Sequence, residues 1–339
     1  MNKVLWTLAV LFGVLAGVAQ GAEPATPPLK GSVIFHFEND ILGTDDSDRH
    51  YTNGLQLSYQ TAENRVWDWL DGWAREKLFG SSDVTMRAHW ALGQNLYTPE
   101  DLSRSDLIAD DRPYAGWLHG DLGLVGSRDN TMRVFELSVG MVGPAAQGEE
   151  MQKWVHQIID SPDPQGWSNQ IGNELAVMLV FEQKWRNVRN LDNFPLLGSL
   201  GLEADFSPHG GVALGNVLTY GGVGGTLRLG RGLERDFGPP RIQPAPPGSG
   251  YFVPDPHFGW YVFLGVDGRA VLQNIFLDGN TFRDSHRVDK NTLVADVLGG
   301  FAVSALGVRV GLVYVNRSKE FTLQDQANHF GSITVSFRL

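Results

Sequence analysis

The sequence predicts an all-β protein, a transmembrane antiparallel β-barrel of about twelve strands with a short helix in an extracellular loop. Three observations carry that expectation. About a dozen segments, each roughly ten residues long, alternate apolar with polar side chains, which is the length and period of strands that cross a bilayer. Their inward-facing parity is polar, so there is no second apolar face to build the dry core of a soluble β-sandwich or barrel. After the first twenty residues no apolar run is long enough for a membrane helix, and a sheet in lipid satisfies its backbone only by closing.

The chain begins like an exported protein. Lys3 supplies a positive start, Val4 to Val18 an apolar core, and Ala19-Gln20-Gly21 a small-x-small cleavage site. Residues 1–21 are therefore expected to be a signal peptide and residues 22–339 a single outer-membrane barrel domain. The apolar run is short for a membrane anchor. Loss of Lys3 makes the formal charge, −11 for the whole chain, one unit more negative. An acidic chain of this kind argues against a nucleic-acid partner. There is no cysteine, which excludes disulfides, a thiolate nucleophile and Cys-ligated metals.

The strand segments fall near 32–40, 50–61, 85–96, 115–126, 131–142, 173–185, 195–208, 214–229, 257–269, 291–303, 306–318 and 329–339. In the second, Tyr51, Asn53, Leu55, Leu57 and Tyr59 share one face. In the fourth, Leu118, Leu122 and Leu124 oppose His119 and Asp121; in the last, Ile333, Val335, Phe337 and Leu339 oppose Ser332, Thr334 and Ser336. The Pro-rich residues 22–30 read as irregular and the Pro/Gly stretch 238–256 as a long turn. Between strands, 65–79 carries three tryptophans at roughly helical spacing and reads as an interfacial helix. With the N-terminus in the periplasm, odd-numbered strands run outward. The loops 41–50, 97–114 and 143–172 then share the outer rim, while the short 127–130 turn lies on the periplasmic side, where turns are short.

Those three loops hold the candidate chemistry. In the first, Asn39, Asp40, Asp45, Asp46 and Asp48 are oxygen donors suited to a hard cation, without EF-hand spacing. In the second, Arg104 and Arg112 are cations that can meet an anion or pair with their acidic neighbours. The third holds a predicted helix, Gln147 to Asp160, with an apolar stripe of Met151, Trp154, Val155, Ile158 and Ile159 that should pack on something. Gln152 and His156, four apart, share a face, and His156 is a base suited to neutral pH. No G-x-S-x-G elbow, H-E-x-x-H or P-loop occurs.

The succession Glu38-Asn39-Asp40, Tyr51-Thr52-Asn53-Gly54, Asp111-Arg112-Pro113-Tyr114-Ala115-Gly116-Trp117, Gly143-Pro144 and Gln152-x-x-x-His156 resembles the outer-membrane lipid A 3′-O-deacylase family over nearly the whole mature chain. Leu277-Asp278-Gly279-Asn280 is a weaker match. The resemblance implies a twelve-stranded barrel, a monomer, with its site near the outer rim. It implies Ca²⁺-dependent hydrolysis of the ester-linked 3′-acyloxyacyl chain of lipid A, the lipid anchor of lipopolysaccharide. His156 is then the general base, Asn39 and Asp40 hold the metal, Thr52 and Gln152 orient the reactants, and Arg104 and Arg112 meet the substrate. Two departures stand out. Pro162 occupies the place where the family has a Glu six residues after the His, which leaves Asp160 or Asp163 to orient His156. Ser103-Arg104-Ser105 offers one charge where relatives have a basic cluster. The readings from other classes are an esterase of different substrate, such as a phospholipase, and a passive channel with an open pore.

Overall fold

Backbone pairing runs right around the molecule. The computed structural model describes residues 31–40, 50–192, 200–238 and 257–339. The predicted signal 1–21, residues 22–30, Asp45, Asp46 and Asp48, and nearly all of the Pro/Gly turn lie outside them. The described strands are β1 (Gly31–Asn39), β2 (His50–Thr61), β3 (Thr85–Thr98), β4 (Ala115–Arg128), β5 (Thr131–Val142), β6 (Glu174–Trp185), β7 (Val188–Asn190), β8 (Glu203–Gly215), β9 (Leu218–Arg231), β10 (Gly259–Asn274), β11 (Leu293–Ala305), β12 (Val308–Arg317) and β13 (Asn328–Arg338). Each is antiparallel to its neighbours; β1 pairs with β13 as well as β2, and β6 pairs with β8. Twelve strands thus close a ring, and the three-residue β7 only extends the edge of β8.

Eleven predicted strands lie within a few residues of observed ones. The exception is the seventh, expected at 195–208 and found at Glu203–Gly215. Its Pro208-His209-Gly210-Gly211 run reads locally as a turn, but closure recruits it. β6 pairs with His209 to Gly215, so Pro208 stands one residue past that ladder, at the kind of end where proline is tolerated. A Cβ on Gly211 would lie 2.5 Å from the Phe181 carbonyl oxygen, so the close approach of the two strands there needs glycine.

Alternation sorts the side chains. Phe35, Leu57, Leu92, Leu122, Leu179 and Leu264 are exposed on the outer wall, the apolar band a barrel presents to lipid. Inward positions carry buried pairs: His36–Glu38 at 2.8 Å, His89–Glu136 at 3.0 Å, His119–Asp121 at 2.8 Å and His209–Asp267 at 2.5 Å. At the periplasmic end Arg228 and Arg309 converge on Asp236, to which Tyr261 also donates at 3.0 Å. The outer mouth is filled. One helical turn, Ile275–Asp278, folds into it, and the fully buried Phe276 stacks on Tyr97 with centroids 3.8 Å apart. Trp117, Tyr51 and Phe330 complete this aromatic plug, which does not fit an open pore.

The predicted interfacial helix forms as Asp68–Ala74, continued by a wider turn, Arg75–Phe79. Ala74 and Phe79 pack with Met86, Ala88 and Leu124, while Trp69 and Trp73 are exposed. Met86, Ala88 and Leu124 share the outward parity of Leu92 and Leu122, so this helix lies against the outside of the wall.

Removing Asp236 leaves two buried guanidinium groups without their shared counter-ion, a loss that costs about 3–5 kcal/mol. Asp236→Ala should lower the midpoint of urea unfolding in lipid vesicles by that equivalent, and an unchanged midpoint would refute the role given to this cluster.

Candidate active site

The site begins with an irregularity in β2. Tyr51 pairs with Tyr97 and Asn53 with Leu96, so Thr52 is the extra residue of a β-bulge. The expected alternation from Tyr51 to Tyr59 therefore breaks. Tyr51 turns inward, 1% exposed, where its hydroxyl donates to Glu38 and accepts from Asn95 at 2.8 Å. Thr52 is released to the other side of the wall and its hydroxyl meets that of Thr98 at 2.6 Å. Asn39 has the outward parity of Phe35 and Phe37, pairs across the strands with Asn53, and donates from Nδ2 to the Thr52 carbonyl at 2.9 Å. Asp40 follows at once and is 2% exposed. Asn39, Asp40 and Thr52 are thus gathered at the outer ends of β1 and β2.

The neighbouring strands carry the helix. Gln94 of β3 donates to the Ala146 carbonyl at 2.6 Å. A Cβ on Gly116 of β4 would come within 3.2 Å of Ala146 and Gly148, and one on Gly148 within 3.1 Å of Leu96. Gln94, Leu96 and Gly116 all have outward parity. The helix Gly148–Ile159 therefore lies on the outside of the barrel, next to the Thr52 bulge. Its wall-facing stripe is Gly148, Gln152 and His156, all buried; Trp154 and Ile158 are 56% and 64% exposed. The expectation that the apolar stripe packs on the protein is met only in part: Met151 packs against Leu96, Tyr114 and Trp167, while Trp154 and Ile158 do not pack on it. The polar stripe faces the wall, which here offers polar partners such as Gln94 and Trp167.

Hydrogen bonds fix how the two polar side chains sit. The Trp167 indole, which can only donate, reaches Gln152 Oε1 at 2.7 Å and so fixes which end of the amide is its oxygen. His156 Nδ1 lies 2.5 Å from the Pro162 carbonyl oxygen. A carbonyl only accepts, so Nδ1 carries the proton and Nε2 is the basic atom. At Nδ1 the partner is the main chain at Pro162, the residue that stands where a carboxylate was expected. Trp167 had no signal in the sequence beyond being a tryptophan in a loop.

The two arginines separate. Arg112 is 1% exposed, pairs with Glu320 at 3.3 Å, and its guanidinium lies over the Tyr97 and Phe321 rings, on the lumen side. This corrects its expected place among substrate contacts: it braces the plug. Arg104 is exposed and donates from Nε to Asp106 at 3.1 Å, and its hydrogen bonding holds the Asp106 carboxyl below the usual range. Asp111 accepts from the backbone N–H groups of Glu100 and Arg112, yet burial raises its carboxyl above the usual range. The Leu277-Asp278-Gly279-Asn280 segment is a staple: Asn280 bonds the Gly172 N–H and carbonyl, both at 2.8 Å, tying the plug to the end of the loop that bears the helix.

As for a metal, cysteine is absent from the chain, and among the described residues no group of three His, Asp or Glu gathers to hold one. The oxygens of Asn39 and Asp40 suit a hard cation. So small a set fits Ca²⁺ if main chain, water or substrate completes the shell.

A family model described as outer membrane protein LpxR matches residues 5–339. The chain belongs to the LpxR family. It is an outer-membrane barrel, and membership makes it an enzyme that modifies lipid A. Among solved structures, LpxR from Salmonella typhimurium is similar over 91% of this chain and 100% of its own, with 21% identity and a TM-score of 0.73, and shares the fold. The β domain of the Bordetella autotransporter BrkA, 12% identical, covers 91% of this chain and 98% of its own at a TM-score of 0.45, too distant to inform the site. Comparison with curated proteins finds no match. Within the LpxR family, the Asn-Asp, Thr and Gln-x-x-x-His motifs of this chain lie on the outer side of the wall, on β1, β2 and the helix carried by β3 and β4, while the Arg of its Asp-Arg-Pro-Tyr block is turned to the lumen.

A Cβ on Gly148 would lie 2.5 Å from the Trp167 ring, a clash that a packed aromatic cannot relieve cheaply. Gly148→Ala should lift the helix from the wall and speed proteolytic cleavage within 143–172, with barrel stability unchanged. Cleavage at the wild-type rate would show the seat to be slack.

Proposed function

We propose that this protein is a Ca²⁺-dependent lipid A 3′-O-deacylase, a carboxylic ester hydrolase that acts as a monomer on the outer leaflet. The observation that carries the reading is the orientation of His156. It sits on the wall-facing stripe beside Gln152, with Nδ1 donating to the Pro162 carbonyl, which makes Nε2 the unprotonated, basic nitrogen.

In this reading the 3′-ester of a lipid A molecule lies between the helix and the ends of β1 and β2. His156 Nε2 takes a proton from a water as its oxygen attacks the ester carbonyl carbon, a role that general bases fill with about 10²–10⁴-fold effect. The tetrahedral adduct collapses by breaking the bond to the sugar oxygen, which takes the proton from His156. The products are the free 3-acyloxyacyl acid and a 3′-hydroxyl. Gln152, its carbonyl held by Trp167, is the stripe's amide suited to orient the water or the developing oxyanion. Thr52, braced by Thr98, orients the same group from the wall side. Bound through Asn39 and Asp40, Ca²⁺ would supply Lewis acidity at the ester carbonyl. Arg104, the exposed cation of the second loop, is the side chain suited to a lipid A phosphate once it exchanges its partner Asp106.

A neutral carbonyl is a weaker partner for imidazolium than the carboxylate expected at this position. The Pro162 arrangement therefore sets the tautomer without adding a negative charge behind the ring.

Two measurements test the proposal by mass spectrometry of lipid A incubated with purified protein. His156→Ala should lose at least about 10²-fold in release of the 3′-acyloxyacyl group, with the barrel's heat-modifiable migration unchanged. Chelation of Ca²⁺ should abolish release, and re-addition should restore it. Wild-type release by His156→Ala would sink the assignment of the base, and release of acyl chains from phospholipid only would move the enzyme to the alternative substrate class.

A further inference from the structure

The loop helix Gly148–Ile159 has three sides, and the reaction uses one. At about 100° per residue, Gly148, Gln152 and His156 face the wall. Trp154 and Ile158 lie on one flank, beyond Val155 and beyond Met151, which packs against Leu96, Tyr114 and Trp167, and Glu149, Glu150, Lys153 and Gln157 lie around the other. The burial pattern agrees: the first set is buried, while Trp154 and Ile158 are exposed and no described element covers them. A helix with wall on one side, hydrocarbon side chains on a second and charges on a third is built to lie flat at a membrane boundary.

The position of the helix fits that boundary. It rests on Gln94, Leu96 and Gly116, while the tryptophan-bearing helix Asp68–Ala74 and its continuation rest on Met86, Ala88 and Leu124 of the same two strands. Between the two supports the wall exposes Trp90, Leu92 and Leu122. Ala88 and Leu96 are eight residues apart on β3. At about 3.4 Å per residue and a tilt of about 40°, that is about 20 Å of height. This is close to the apolar band of about 25 Å expected of such barrels. The two helices therefore bracket the hydrocarbon layer, one at each face.

We infer that Trp154 and Ile158 are immersed in the acyl chains of the outer leaflet, so that the loop helix is an interfacial anchor continuous with the lipid-facing belt. The occupant is hydrocarbon rather than a second copy of the chain. Two protruding side chains fall far short of the roughly 800 Å² per partner that a stable protein interface buries. The consequence for the site is geometric. The gap between helix and wall opens onto the leaflet, and a lipid reaches it by lateral movement without leaving the membrane. The inference rests on the outer-membrane placement and does not depend on the hydrolytic reading, so either can fail alone.

The chain has no cysteine, so single labels are unambiguous. Ile158→Cys and Glu150→Cys, each carrying a nitroxide, would be reconstituted as full-length barrels in vesicles of phosphatidylethanolamine and phosphatidylglycerol. Both positions are solvent-facing in the protein, so neither label disturbs packing. The label at 158 should be several-fold more accessible to dissolved oxygen than to a water-soluble nickel chelate, and the label at 150 the reverse. Equal nickel accessibility at the two positions would overturn the proposal, as would dipolar broadening at 158 that reports a second copy on this face.

Discussion

Every backbone amide and carbonyl in the hydrocarbon layer needs a partner within the protein, and this chain meets that requirement by pairing β1 with β13 and β6 with β8. Closure then dictates the rest. It fixes the register of each strand, draws a Pro-His-Gly-Gly run into β8, and divides the alternating side chains into a lipid side and a lumen side. Polar side chains directed inward cannot face an apolar core, and they pair instead: among the described residues, four His–carboxylate contacts occupy the interior, with Arg228 and Arg309 on Asp236 and Arg269 and Arg317 on Asp296. Those pairs stabilise less by their own strength than by the large cost of breaking any one of them.

The candidate site sits outside this framework, against its wall. The Thr52 bulge does two things at once: it sends Tyr51 into the lumen network and turns Thr52 outward beside Asn39. Small residues at Gly116 and Gly148 then let the helix approach the strands closely enough for Gln152 and His156 to face the same surface. Trp167 and the Pro162 carbonyl hold those two side chains in defined orientations. The aromatic plug and the Asn280 staple tie the loops above into one rigid rim. A site placed this way faces lipid, which suits a substrate that is itself part of the membrane.

Much of this was legible in the residues. Strand alternation predicted the class and nearly all the boundaries because a period of two along a lipid-facing wall is a strong local signal. The Gln152–His156 pair and the Asn39–Asp40–Thr52 group were picked out by their motif order, and strand parity put both on one rim. What local pattern could not supply was side. A single inserted residue reverses facing, so Tyr51 was misassigned with its neighbours, and an amphipathic helix does not say which of its faces meets protein. Arg112 reads as an exposed loop cation until Glu320, distant in sequence, takes it inside.

The sequence by itself determined the barrel, its strand count and the identities of the polar residues on its outer rim, because these depend on period, composition and order along the chain. The tertiary structure alone decided that the helix shows its polar stripe to the wall and its apolar one to the membrane. It alone replaced a side-chain carboxylate with the carbonyl of Pro162 behind His156, since both depend on which surfaces closure brings together.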